Sequence, residues 1–188
     1  LGRWELTGYY AHVNHELLSV ELQPVPNLFI AENNASPTVH RGIEAGLDST
    51  LWQAAPGRLS LRQAYTLSDF RYRQDARFGS NRLPGLPRHS YQAELRFDHV
   101  SGLYAALNNE YASRIAVDYA NSYWADSHVI FGSRIGYDAP GGRWQAWAEM
   151  RNLGNRHYAA TVTPGYDDAG KDVARSSTVT AAPIDIAA

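Results

Sequence analysis

The chain contains no cysteine, which removes disulfide scaffolds, cysteine–zinc sites and thiol catalysis together. Lysine is almost missing too: Lys171 is the single one among 17 Lys+Arg, so nearly all basic charge is arginine. Those 17 stand against 19 Asp+Glu, a formal net charge of -2 over 188 residues. No basic field for nucleic acid exists, and no nucleic-acid partner is expected. No apolar run approaches the ~18 residues of a spanning helix, so a helical membrane protein is excluded. Helical periodicity is nearly absent. There is no Gly-rich phosphate loop and no G-x-S-x-G elbow. Ser90 beside His89 makes no catalytic pair, because adjacent strand residues point apart. No enzymatic activity, cofactor or metal centre is expected. The chain opens at Leu1 without a signal-peptide pattern, which reads as a processed product or a portion of something longer.

What the sequence has is aromatic residues, at 12%, and period-2 alternation. Tyr91, Ala93, Leu95 and Phe97 interleave with Ser90, Gln92, Glu94, Arg96 and Asp98, giving one apolar and one polar face. Val39 to Trp52 repeats the pattern, with Ile43, Ala45, Leu47 and Leu51 against His40, Glu44, Asp48 and Thr50. Val129, Phe131, Ile135 and Tyr137 alternate with Gly132, Arg134, Gly136 and Asp138. Weaker versions occupy Arg3–Val13, Leu59–Tyr72, Leu103–Arg114 and Trp144–Asn152. About seven strands result, most near the ~9–11 residues with which a tilted strand crosses a bilayer.

The connections alternate in length. Gln53–Arg58 (QAAPGR), His99–Gly102 (HVSG) and Asp138–Arg143 (DAPGGR) are short, with Pro or Gly supplying the reversal. Gln23–Thr38 and Gln74–Arg88 are long and polar, and Ile115–Tyr123 is of middle length. Short turns at one end and long loops at the other describe an all-β, antiparallel up-and-down meander. In an outer-membrane barrel they are periplasmic turns and extracellular loops. Trp4, Trp52, Tyr104, Tyr123, Trp124, Tyr137 and Trp144 fall near strand ends, as an interfacial aromatic girdle requires. The polar face carries Glu44, Asp48, Arg62, Glu94, Arg96, Glu110, Arg134, Glu149 and Arg151, dense enough for a water-filled lumen. A soluble sandwich also alternates, but its strands average only ~5–6 residues.

Four segments then carry a resemblance. Trp144–Tyr158 (WQAWAEMRNLGNRHY) resembles the penultimate-strand signature of TonB-dependent outer-membrane receptors, with Asn152, Leu153, Gly154, Asn155, Arg156 and Tyr158 at the motif positions. Tyr9–Leu18 (YYAHVNHELL) is similar to the family's aromatic strand with an acidic-aliphatic end. Asn34–Leu47 (NASPTVHRGIEAGL), centred on Arg41, Gly42, Ile43 and Glu44, is similar to a strand start. Leu83–Tyr91 (LPGLPRHSY) is similar to a segment opening the next strand. The order and spacing match over roughly residues 1–166. Gly42, lacking a Cβ, suits a bulge or close lateral packing. Pro84 and Pro87 stiffen a loop about Gly85.

The resemblance implies a Gram-negative outer-membrane, multi-pass β-barrel importing ferric siderophores or a similar metal chelate. Transport would be energised by the TonB complex through a plug that this chain does not contain. Residues 1–158 would be a C-terminal portion of the barrel, and 159–188 the last extracellular loop and an atypical tail. A receptor barrel has about 22 strands, so this chain would supply about a third of the wall. Ser176–Ala188 (SSTVTAAPIDIAA) lacks the amphipathic, aromatic-ended closing strand of the family, and the last strand is expected to be lost, altered or diverged. Other readings are a self-contained small barrel with a structural or adhesive role, and a soluble carbohydrate-binding β-sandwich.

Candidate contacts concentrate in Phe70–Arg88. There Arg71, Arg73, Arg77, Arg82 and Arg88 interleave with Phe70, Tyr72 and Phe78. Guanidinium and aromatic groups suit anionic, aromatic chelates. They equally suit lipopolysaccharide phosphates at the outer-membrane surface, and a merely polar loop remains a third reading. The named ligand contacts are Arg71, Tyr72, Arg73, Arg77, Phe78 and Arg82. His12, His15 and Glu16 lack metal-site spacing for a strand. Asp167, Asp168 and Asp172 read as a solvated acidic loop, since calcium needs more ligands at defined spacing. Glu44, Glu94 and Arg96 are expected in cross-strand or wall–plug pairs.

Overall fold

A computed structural model describes residues 2–21, 29–33, 36–162 and 185–187, with the backbone alone for 19–21, 29–33 and 185–187. Seven long strands form one antiparallel wall: β1 (Gly2–Val13), β4 (Thr38–Ala54), β5 (Gly57–Tyr72), β6 (His89–His99), β7 (Leu103–Ala112), β10 (His128–Asp138) and β11 (Gln145–Arg151). The three residues of β12 (Asp185–Ala187) pair on the outer side of β11. Two small hairpins sit among the long connections: β2 (Leu17–Glu21) with β3 (Phe29–Asn33), and β8 (Ile115–Ala116) with β9 (Trp124–Ala125). Long strands are sequential neighbours once the hairpins are set aside, which is an up-and-down meander.

Alternation in sequence becomes two faces because the register holds along the strands, with one shift beside a short turn. Trp4↔Leu47, Leu61↔Leu95, Leu95↔Leu107 and Ile135↔Ala148 are cross-strand partners on one face. Arg62↔Glu94, Glu94↔Asn108 and Arg134↔Glu149 are partners on the other. A one-residue slip would exchange the two faces. The single register shift in β4 lies between Thr50 and Trp52, beside the short turn, and returns Trp52 to the apolar face opposite Leu59. The turns 55–56, 100–102 and 139–144, the last with a 3-10 turn at Pro140–Gly142, lie at one end. The long connections lie at the other.

The apolar face has no partner layer among the described residues. Trp4 is 74% exposed, and Leu6, Leu51, Leu103, Leu107, Phe131 and Ile135 are all exposed with it. A sandwich would pack this face on a second sheet; here it forms an open apolar belt, as lipid demands. No helix is long and apolar enough to cross a membrane. Edges β1 and β12 are not paired with each other, so the described residues form a wall segment and no closed small barrel.

The expected girdle is redistributed. Trp4, Trp52 and the Tyr137–Trp144 pair, with ring centroids 5.2 Å apart, do mark the short-turn side of the belt. Tyr104 faces the lumen, its ring under the Arg96 guanidinium at 3.8 Å. Tyr123 and Trp124 belong to the β8–β9 hairpin at the long-loop end. The other side of the belt is a row that strand-end reasoning passes over. Tyr65, Tyr91 and Tyr111 are successive register partners across β5, β6 and β7.

On the lumen face, Gly42 is closely packed and not bulged. A Cβ there would strike the Tyr9 ring, whose residue is its cross-strand partner, and the Leu67 carbonyl oxygen. Gly136 lies under Tyr104 in the same way.

Candidate functional site

The lumen face is a charge ladder held by the register. Arg62 Nε donates to Asp48 at 2.9 Å, and Arg96 bridges Asp98 at 2.8 Å and Asp138 at 3.4 Å. Glu149, buried, receives both Arg134 at 2.7 Å and Arg151 at 3.0 Å. Cross-strand pairs of this kind contribute only a few tenths to ~1 kcal/mol each, so their main effect is to fix orientation. Arg96 thus pairs within the wall. Glu44, Glu94 and Glu110 have no ion-pair partner among the described residues and leave carboxylates facing the lumen. A hollow of about 640 Å³ lies against this face, bordered by Arg62, Glu94, Glu110, Glu149 and Tyr158. Burial and the nearby Glu110 charge both push the Tyr158 phenol above its ordinary value.

The densest packing is in the loops and not in the sheet. Tyr72, Leu83 and Tyr119 form one buried cluster, with Leu18, Phe70 and Phe78 against it. Ile115, Val117 and Val162 form another, and Val117 is fully buried. Polar groups in this cap are matched. The buried Asp118 carboxylate accepts from the Ser122 and Tyr123 backbone N–H and from the Ser122 hydroxyl. Asn121 accepts from Arg82 N–H and donates to Arg82 and Asp118 carbonyls. Asn81 donates to the Tyr119 and Ala120 carbonyls. These bonds lock residues 81–82 to 118–121, so these two connections form an ordered lid on the wall.

The six loop residues expected to touch ligand are split by this arrangement. Tyr72 and Phe78 stack at 5.5 Å inside the cap, both against Tyr119. Arg77 lies over the Phe78 ring at 4.9 Å and is exposed. Arg71 and Arg82 are bridge partners on the outer face. Arg73 reaches His12, also of the outer face, at 3.5 Å. At the end of β5 the interleaving is strand alternation, with Phe70 and Tyr72 turned inward and Arg71 outward, while Arg77 and Phe78 lie together in the turn beyond the strand.

Asp69 and Arg114, which the sequence did not single out, complete the outer cluster. Asp69 accepts from Arg41 at 2.7 Å and from Arg71 at 2.7 Å. Arg114 lies over the Trp124 ring at 4.4 Å, with Arg82 6.0 Å from the same ring. Burial, then the charges of Arg71 and Arg88, push the Arg82 guanidinium below its ordinary value, with Asp69 opposing. These residues come from β4, β5 and two loops, and no local motif links them.

The motif residues have structural roles. Asn152, buried and at φ 52°, closes a turn by accepting from Arg156 N–H and donating to its carbonyl. Asn155 is also left-handed, at φ 46°, a conformation asparagine tolerates. Leu153 N–H donates to the Phe131 carbonyl while its side chain is exposed. Tyr158 stacks on His128 at 4.4 Å. Glu44 faces the lumen opposite Thr7 and Thr66. Glu16 is bound to Thr38 and to His40, the latter at 3.2 Å, while His12 meets Tyr10. Among the described residues no group of three or more His, Asp or Glu is placed to hold a metal. Asp167, Asp168, Asp172 and most of the tail lie outside the described residues.

A one-layer antiparallel wall with an apolar belt, a charged lumen face and a loop lid defines part of an outer-membrane-type β-barrel. The model of the TonB dependent receptor-like β-barrel family matches residues 1–153, and the chain belongs to that family. Barrels of this family are outer-membrane proteins. The fold is similar to the siderophore receptor PiuA from Acinetobacter baumannii, with TM-score 0.58 and 15% identity over 92% of this chain and 24% of that one. It is similar also to the ferric-catecholate import receptor Fiu from E. coli K12, with TM-score 0.55 and 15% identity over 90% of this chain and 23% of that one. The chain therefore spans about a quarter of the length of these structures. No curated protein sequence matches it.

Proposed function

We propose that the chain is a C-terminal segment of the wall of a Gram-negative outer-membrane receptor that imports a ferric siderophore or similar metal chelate by TonB-energised active transport. The observation carrying this reading is the charged lumen face, over which no layer packs among the described residues. Glu44, Glu94 and Glu110 present carboxylates toward a space that a plug with basic groups would fill, and a buried unpaired charge is costly. The ordered loop lid supports it, since a ligand site needs positioned side chains. The siderophore receptor and the ferric-catecholate import receptor among the structural neighbours support this substrate class. In this reading Arg77, stacked on Phe78 at the tip of its loop, is the first contact for an anionic chelate. Arg71, Tyr72, Arg73 and Arg82 hold or flank that loop.

The test is uptake of a panel of radiolabelled ferric chelates by iron-starved cells, with and without the gene that encodes the chain. Loss of uptake of one chelate, and equal loss when the energising complex is depleted, is expected. Undiminished uptake of every chelate in the deletion strain overturns the reading.

A further inference from the structure

One row of the apolar face carries two carboxamides, and only one of them is satisfied. Trp4, Leu47, Gln63, Ala93, Asn109 and Phe131 are successive register partners across β1, β4, β5, β6, β7 and β10. Gln63 accepts from the Tyr91 hydroxyl at 2.6 Å. Asn109, two strands away, has no side-chain hydrogen bond among the described residues. Its neighbours Leu107 and Phe131 are exposed, and its partner on β6 is the small Ala93.

Depth makes this difference matter. Asn109 is two residues from Tyr111 along β7, in the register row next to Tyr65, Tyr91 and Tyr111 on the side of the short turns. With a rise of ~3.3 Å per residue and a strand tilt of ~40°, it lies about 5 Å below the tyrosines. Phenols of that kind mark the boundary between headgroups and hydrocarbon, so the amide points into hydrocarbon. Acyl chains offer neither donor nor acceptor, and an unmade hydrogen bond there is costly. No charged side chain lies on the outer face of β6, β7 or β10 between the tyrosine row and the short turns.

The chemistry of the amide selects the occupant. A carboxamide holds an acceptor and a donor side by side. Two of them related by a twofold axis satisfy each other, each donating one hydrogen bond and accepting one. A contact of that symmetry uses the same patch on both molecules. Ala93 keeps the centre of the patch shallow, which lets two walls approach closely, and the lack of charge removes like-sign repulsion. We propose that the outer face of β6, β7 and β10 is the contact between two copies of the receptor in the membrane. The Asn109 amides pair on the twofold axis, with Leu107 and Phe131 packed about them. The inference rests on the outer-membrane placement proposed above and names a second copy of this chain as the partner of one part of the belt.

The experiment uses the intact receptor carrying this chain, in outer membranes. The chain has no cysteine, so Asn109→Cys and Leu47→Cys each add one thiol to the same row of the belt, three strands apart. A disulfide needs Cα atoms within ~7 Å, which only a position on the axis meets in both copies. After oxidation, Asn109→Cys should run on a non-reducing gel at twice the receptor mass, while Leu47→Cys and the unsubstituted receptor stay monomeric. In mild detergent the unsubstituted receptor should sediment as a dimer. Asn109→Leu, with unchanged heat-modifiable gel mobility as evidence of folding, should raise the dimer dissociation constant at least tenfold, and Asn109→Gln should keep part of the affinity. Equal cross-linking at both positions, a cross-linked species of any other mass, or undiminished dimerisation of Asn109→Leu would each overturn the proposal. Monomeric receptor in the outer-membrane fraction overturns the contact alone, whereas absence of the receptor from that fraction overturns the placement and the contact with it.

Discussion

Tyr91 donates its phenolic hydrogen to Gln63 Oε1 at 2.6 Å, across β5 and β6, on the face that carries the apolar belt. Gln63 stands where the alternation calls for an apolar residue, between Leu61 and Tyr65. Its carbonyl facing hydrocarbon without a partner would cost several kcal/mol. Tyr91→Phe should therefore destabilise the barrel by about 1–3 kcal/mol, whereas Gln63→Leu should be neutral or stabilising. Combined in Gln63→Leu/Tyr91→Phe, the loss from Tyr91→Phe should largely vanish. Thermal unfolding of the receptor in detergent reads all three, and an additive pair would refute the coupling.

Gly42 makes a steric prediction. The Tyr9 ring and the Leu67 carbonyl occupy the space a methyl group would need. Because one obstacle is backbone, the strand pair itself must shift. Gly42→Ala should cost about 1–3 kcal/mol, the range for overpacking, and Tyr9→Ala should relieve only part of it. Recovery of full stability in Gly42→Ala/Tyr9→Ala would show that the ring alone sets the limit.

The faces of the wall were legible in the sequence because strand side chains alternate strictly and one face meets lipid. Each of the nine charged residues read as lumen-facing does belong to the polar face by register. The outer arginine cluster was not legible. It depends on pairing Arg71 with Arg82 across a hairpin, and on Trp124 lying beside Arg114, relationships at a range that period-2 reasoning does not reach. The placement of Tyr72 and Phe78 inside the cap was not legible for a related reason: composition marks a patch as aromatic and basic without telling which side each residue takes. The tyrosine row was missed because its members lie at different depths, Tyr65 inside β5 and Tyr91 and Tyr111 near the ends of β6 and β7, and only the register aligns them. Asn152 and Tyr158 were recognisable as a motif, while their turn-closing and ring-stacking roles needed the fold.

The loop lid should be cooperative. Asp118 accepts three hydrogen bonds in a fully buried position. Asp118→Ala strands those donors and should cost about 2–4 kcal/mol locally. Asp118→Asn keeps an acceptor and should cost less. Hydrogen exchange across 81–88 and 115–125 should speed up together in Asp118→Ala, since Asn121 ties the two segments. Faster exchange confined to 115–125 would mean that the segments open independently.

Acid should loosen the neighbouring turn. Burial disfavours the Asp75 carboxylate, but hydrogen bonds from the Ser36 side chain and from the Phe78 and Arg77 backbone N–H outweigh it and hold its pKa below the ordinary aspartate value. A group whose folded value is depressed contributes stability that is full above its unfolded value and is lost as pH falls through the folded one. Exchange of the Arg77 and Phe78 amides, corrected for intrinsic rate, should be flat from neutral pH down to about pH 5 and accelerate below about pH 4. Asp75→Asn should remove that acceleration and leave a slightly weaker turn at all pH values. In the transport assay the same substitution should raise the half-saturation concentration for the chelate while sparing the maximal rate, because the turn carries Arg77. Were Asp75→Asn to lower the maximal rate alone, the turn would have no part in first contact with the ligand.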